Sequence, residues 1–98
     1  MSQPFFTIAK LTAKEGKLAE LEQVLNKLAE ATRQEAGAHD YFFIKDAQNS
    51  NTILSFERWE NEEEETKHWS TPHLKHAFTK LQNLLEEEAI IHKGHQII

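Results

Sequence analysis

Cysteine is absent from this sequence, which excludes disulfides, thiolate nucleophiles and every zinc or iron–sulfur site built on cysteine. Glycine is scarce. The three present, Gly16, Gly37 and Gly94, stand far apart, so the chain has no phosphate-cradling loop, no dinucleotide fingerprint and no glycine-flanked nucleophilic serine. Basic residues are the minority, 11 against 16 acidic ones, and a net charge of -5 gives no general attraction to phosphate backbones or anionic lipid. Nucleic acid and membrane surfaces therefore drop out as expected partners. No apolar run reaches the length of a membrane span, and the N-terminal segment has neither the basic cluster nor the apolar core of a signal peptide. These absences together predict a cytoplasmic protein.

What is present suits a globular fold. The length of 98 residues fits one domain over residues 1–98, and a domain this short buries only about 60–70% of its unfolded surface. A second copy of the chain is then a natural source of further burial. Apolar residues make up 39%, with 6 Phe, 2 Trp and 1 Tyr spread over several patches, enough to fill a core.

Along the chain, the stretch from about Phe5 to Ala13 carries apolar residues on both alternating faces, Phe5, Ala9 and Leu11 against Phe6 and Ile8, and predicts a strand covered on each side. After Gly16 the period changes. Leu18, Leu21, Leu25, Leu28 and Thr32 recur at three- and four-residue steps, as in an amphipathic helix, which is expected to stop near Ala36–Gly37 with glycine in the left-handed position. His39 to Lys45 and Thr52 to Trp59 are rich in aromatic and β-branched residues, and the short polar run between them predicts a hairpin.

In the second hairpin strand Leu54 and Phe56 share one face, and Ile53, Ser55, Glu57 and Trp59 the other. Glu57 on a covered face needs a partner or a proton, because a bare buried carboxylate is costly. Asn61 before Glu62–Glu65 reads as an N-cap with Glu64 reaching back in a capping box, opening a short helix to about Trp69. Ser70 or Thr71 then caps a second piece with Pro72 in its first turn and a stripe of Leu74, Ala77, Phe78, Leu81, Leu84 and Leu85. The run Ile90–Ile98 is expected to supply a last, short strand.

The order is β-α-β-β-α-β with the second helix broken: an α+β, ferredoxin-like protomer with an antiparallel sheet and its helices on one face. The other face is expected to expose Ile53, Trp59 and the hairpin aromatics unless a second sheet packs on it, so a homodimer is predicted.

Histidine is where the chemistry concentrates. His39, His76, His92 and His95 read as surface or strand-end residues. His68 and His73 bracket the helix break, and the first turn of the second piece favours a neutral imidazole at His73. His73 with His76, and His92 with His95, match no zinc signature, so no resident metal is expected. The residues alone point to a cavity lined by Glu57, Trp59 and aromatics, with His68 and His73 at its rim.

The run Glu35-Ala36-Gly37, then Tyr41, then Glu57-Arg58-Trp59, then His68 after eight intervening residues, then Thr71-Pro72-His73-Leu74 resembles the antibiotic biosynthesis monooxygenase family. The resemblance spans nearly the whole chain. It implies a homodimer whose two sheets form a dimeric α+β barrel, with a pocket in each protomer between sheet and helices. Similar members oxidise quinols with O2 and use no metal, flavin or haem, so no cofactor is expected. In haem-degrading relatives an Asn, a Trp and a His stand where this chain has Ala9, His68 and Phe78, which disfavours haem degradation. An isomerase acting on a phosphorylated dione-type metabolite is also similar through His68, Thr71, Pro72 and His73.

On this resemblance His68 is assigned as the base and His73 as its partner or oxyanion stabiliser. Glu57 orients, and Trp59, Tyr41, Phe43 and Trp69 hold a small aromatic or quinone-like substrate. The motifs fit three readings: an oxygenase, an isomerase and a non-catalytic small-ligand binder.

Overall fold

The computed structural model describes residues 3–98. Its elements are β1 (Phe5–Thr12), α1 (Leu18–Thr32), β2 (Ala38–Lys45), β3 (Thr52–Trp59), α2 (Glu62–His68), α3 (Pro72–Leu84) and β4 (Ile90–Gly94). The strands form one sheet in the order β2-β3-β1-β4, every neighbouring pair antiparallel. This is the ferredoxin-like α+β arrangement that the sequence predicts, with the second helix in two pieces. Leu21, Leu25 and Leu28 of α1 and Leu74, Ala77 and Leu81 of α3 bury against Leu11, Ile53 and Trp59 of the sheet. Each leucine or isoleucine side chain among these contributes about 1.5–3 kcal/mol on removal from water, before chain entropy is set against it.

The break between α2 and α3 is built locally, as the residues dictate. Asn61 Oδ1 accepts from the Glu64 backbone N–H at 2.9 Å, and Thr71 Oγ1 accepts from Leu74 N–H at 3.2 Å with Pro72 in the first turn. Glu64 closes no capping box, because its carboxylate takes Lys67 Nζ at 2.7 Å instead.

Three expectations need correcting. Helix α1 ends at Thr32, short of Ala36–Gly37, and Gly37 does not adopt the left-handed conformation; Gly16 alone has positive φ among the described residues. Gly37 is needed for close approach: a Cβ there would collide with Cβ and Cγ of Glu64 as α2 crosses it. We expect Gly37→Ala to lower stability by about 1–3 kcal/mol, measured by urea unfolding, since overpacking of this kind displaces a helix and not a flexible side-chain tip.

The second correction concerns the sheet faces. Ile53 and Trp59 lie under the helices, not on the open face, and the open face carries Phe6, Ile8, Phe42, Ile44, Phe56 and Ile90. Phe56 sits at its centre, stacked on Phe42 at 5.3 Å and edge-on to Phe6 at 6.1 Å. In the single chain β1 is therefore covered on one side only. The third correction is at the ends: β4 stops at Gly94, and Phe78 on the α3 stripe remains 43% exposed.

Candidate active site

Between the sheet and the helix break lies a polar band in an otherwise apolar interior. Strand register puts Tyr41, Glu57, Thr7 and Lys93 in one row across all four strands. Helix α2 crosses above that row and presents Glu65, His68 and, just beyond its end, Trp69. Tyr41, Phe43, Glu57, His68 and Trp69 border one partly open cavity of about 50 Å³, lined otherwise by mostly apolar residues that include Phe78.

His68 is 1% exposed, so it belongs to the interior and not to the rim where the sequence reading puts it. Its ring packs 4.8 Å from that of Trp59 and 5.5 Å from that of Tyr41. Nδ1 lies 2.7 Å from Glu35 Oε2. A carboxylate only accepts, so Nδ1 carries the hydrogen and a neutral ring leaves its lone pair on Nε2. That Nε2 is buried with no hydrogen-bond partner among the described residues. Burial, outweighing the attraction of Glu35, pushes the His68 pKa below its ordinary value and keeps the ring neutral.

His73, 25% exposed, does not bond to His68; its Nε2 meets the same Glu35 Oε2 at 2.7 Å. One carboxylate thus receives two imidazoles, from the end of α2 and the start of α3. Glu35 itself follows the end of α1, held by a turn in which its N–H donates to Thr32 O at 2.9 Å.

Glu57 bonds to no histidine among the described residues: its carboxyl accepts from Ser55 Oγ at 2.9 Å and Trp59 Nε1 at 3.2 Å, and the carboxylate that both imidazoles meet is that of Glu35. Burial first, with the negative charge of Glu65 adding to it, raises the Glu57 pKa from 4.5 to about 7. The Tyr41 hydroxyl is likewise pushed up, by burial and then by the charge of Glu57.

Glu65 is the other residue that sequence reasoning missed. It is fully buried and accepts from Thr7 Oγ1 at 3.1 Å, Trp69 Nε1 at 2.8 Å and Lys93 Nζ at 3.1 Å. Lys93 also lies 4.8 Å from the Trp69 ring, so Trp69 is pinned from both sides. Helical spacing carries the signal: Glu65, His68 and Trp69 stand at i, i+3 and i+4, on one face of α2.

The model of the antibiotic biosynthesis monooxygenase family matches residues 4–80. The chain belongs to this family. Among solved structures, a conserved protein of Methanosarcina mazei is 25% identical over 97% of this chain and 94% of its own, with TM-score 0.93. A protein of Pseudomonas aeruginosa is 28% identical over 100% and 98%, with TM-score 0.91. A structure named an antibiotic biosynthesis monooxygenase shares the fold, with TM-score 0.90 over 96% and 99% of the two chains at 17% identity. No curated protein matches the chain by sequence. Of the residues this family resemblance singles out, the fold brings Glu35, His68 and His73 together, while Glu57, Trp59 and Tyr41 stand on the sheet beneath them.

Proposed function

We propose that this member of the antibiotic biosynthesis monooxygenase family oxidises a small aromatic, quinol- or anthrone-type substrate with O2, without metal, flavin or haem. The observation that carries the reading is His68 Nε2, a buried and unpartnered nitrogen on a ring that borders the cavity and is fixed through Nδ1 by Glu35. A base so placed removes a proton from an activated C–H or O–H, and Glu35 stabilises the imidazolium that forms. The substrate anion then passes one electron to O2. Radical recombination and uptake of the proton give a hydroperoxide, and loss of water leaves the carbonyl. In sum, an activated methylene and one molecule of dioxygen become a carbonyl and one molecule of water. Near neutral pH a protonated Glu57 in the same cavity can donate a hydrogen bond to the oxyanion.

At about 50 Å³ the cavity accommodates water or O2 but not an aromatic ring, since ligand pockets typically run to about 300 Å³ or more. Substrate must therefore displace side chains, and the partly exposed Phe43 and Phe78 are the ones free to turn, since Trp69 is held by Glu65 and Lys93. The phosphorylated-dione reading loses support here, because no Lys or Arg borders the cavity and Lys93 is held by Glu65. Oxygen consumption by purified protein across a panel of anthrones and quinols, with chelator present, tests the oxygenase. Uptake that depends on the protein is the expected result. Ligand-induced shifts without turnover would make it a binder.

The same reading includes a cytoplasmic homodimer. No helix among the described residues is long and apolar enough to cross a membrane. The open apolar face around Phe56 is the kind of patch a second sheet covers, closing the barrel expected of the family. Light scattering should return twice 11.4 kDa at micromolar concentration, and Phe56→Glu should return the monomer. A monomeric unmutated protein would overturn the dimer.

A further inference from the structure

Among the described residues, one cluster of side chains has the chemistry of a metal site, and it lies behind the proposed base. Glu35 Oε2, His68 Nδ1 and His73 Nε2 all fall within 4.8 Å of one another. They come from three separate elements: the turn after α1, the end of α2 and the start of α3. Two imidazole nitrogens and one carboxylate oxygen suit a borderline divalent ion of the zinc type, with a water completing the shell. Tetrahedral bonds of about 2.1 Å put ligand atoms roughly 3.4 Å apart, so each nitrogen–oxygen pair must open from its present 2.7 Å by only a fraction of an ångström. Glu35 and His73 are partly exposed and give the ion a path from solvent.

We propose that Glu35, His68 and His73 form a binding site for a zinc-like divalent cation that acts as an off-switch for His68. Of the three ligands only His68 borders the cavity, so an ion held there does not reach the substrate or O2. It acts through the ring. When the metal takes His68 Nδ1 and His73 Nε2, the hydrogen on each moves to the other nitrogen of its ring, Nε2 of His68 and Nδ1 of His73, with no net proton released by a neutral imidazole. The cavity then faces an N–H donor in place of a lone pair. The binding site stands on the geometry alone, whereas loss of turnover on metal binding rests on His68 being the base.

The test uses the full-length protein, stripped with chelator and desalted. Calorimetry with Zn²⁺ should show one ion per chain, and Co²⁺ should give a visible absorption band displaced by Zn²⁺. Imidazole ¹⁵N spectra of the unmutated protein should show His68 and His73 shifting, with Nε2 of His68 becoming the protonated nitrogen. His73→Gln and Glu35→Gln should each weaken binding at least about 10–100-fold, the range seen even for the outer partners of a metal site. His76→Gln should not, and this separates the proposed site from a pair formed by His73 and His76 along α3. Shifts at histidines other than His68 and His73 would overturn the proposal, as would Zn²⁺ affinity no greater than that of His73→Gln, or equal weakening by His76→Gln. Binding is read without substrate: zinc that binds as described in a protein with no oxygen uptake sinks the oxygenase reading alone, and oxygen uptake without zinc binding sinks only the site.

Discussion

Replacing His68 by asparagine should lower turnover by about 10²–10⁴-fold, the span usually lost with a general acid–base group. Asparagine is the informative choice because its side-chain amide can still donate to Glu35 from the place of Nδ1, while nothing remains where Nε2 stood. Truncation to alanine would confuse the result: His68 is packed between Trp59 and Tyr41, and the resulting hole would cost stability of its own. Some destabilisation is expected with asparagine too, so the measurement is kcat per folded molecule, with the folded fraction taken from near-ultraviolet circular dichroism. A variant that folds and retains more than about a tenth of the turnover would remove His68 from the base role. His73→Gln should fall less, because water can replace its contact to Glu35, which keeps the bond from His68.

The sequence discloses the parts of this site that local chemistry determines. Asn61, Thr71 and Pro72 sit at helix starts because capping is an interaction over three residues, and such signals survive without knowledge of the fold. The hairpin is legible for the same reason. Glu35 is different. Its two imidazole partners lie 33 and 38 residues away, and nothing in its own neighbourhood marks it apart from a family resemblance.

Glu65 is masked by three preceding glutamates that serve the helix start; only the spacing to His68 and Trp69 distinguishes the one that turns inward. The sheet faces mislead in an instructive way. Alternation in β3 separates Ser55 and Glu57 from Leu54 and Phe56 correctly, but the more polar set is the buried one. The helices cover the face that carries Ser55 and Glu57, and the more apolar face is left exposed in the single chain.

Glu57→Gln should change the pH dependence of stability more than any other single substitution in the site. With its pKa near 4.5 when unfolded and about 7 when folded, Glu57 binds its proton more tightly in the native state. Its contribution is fully present below pH 4.5 and is lost as pH rises through 7. The loss across that window amounts to about 3 kcal/mol, from 1.36 kcal/mol per pH unit between the two values. Glutamine resembles the protonated acid in shape and stays uncharged. It should therefore unfold at about the same urea concentration as the unmutated protein near pH 4.5 and at a clearly higher one at about pH 8.

His68 works in the opposite direction, since a base whose folded pKa is lowered loses stability as pH falls below its ordinary 6.5. Subtracting the two curves, unmutated and Glu57→Gln, isolates the carboxyl because both proteins keep His68. Parallel curves from about pH 4.5 to 8 would mean that Glu57 titrates in the fold as it does in the unfolded chain, and the oxyanion-donor role at neutral pH would then have no protonated group to perform it.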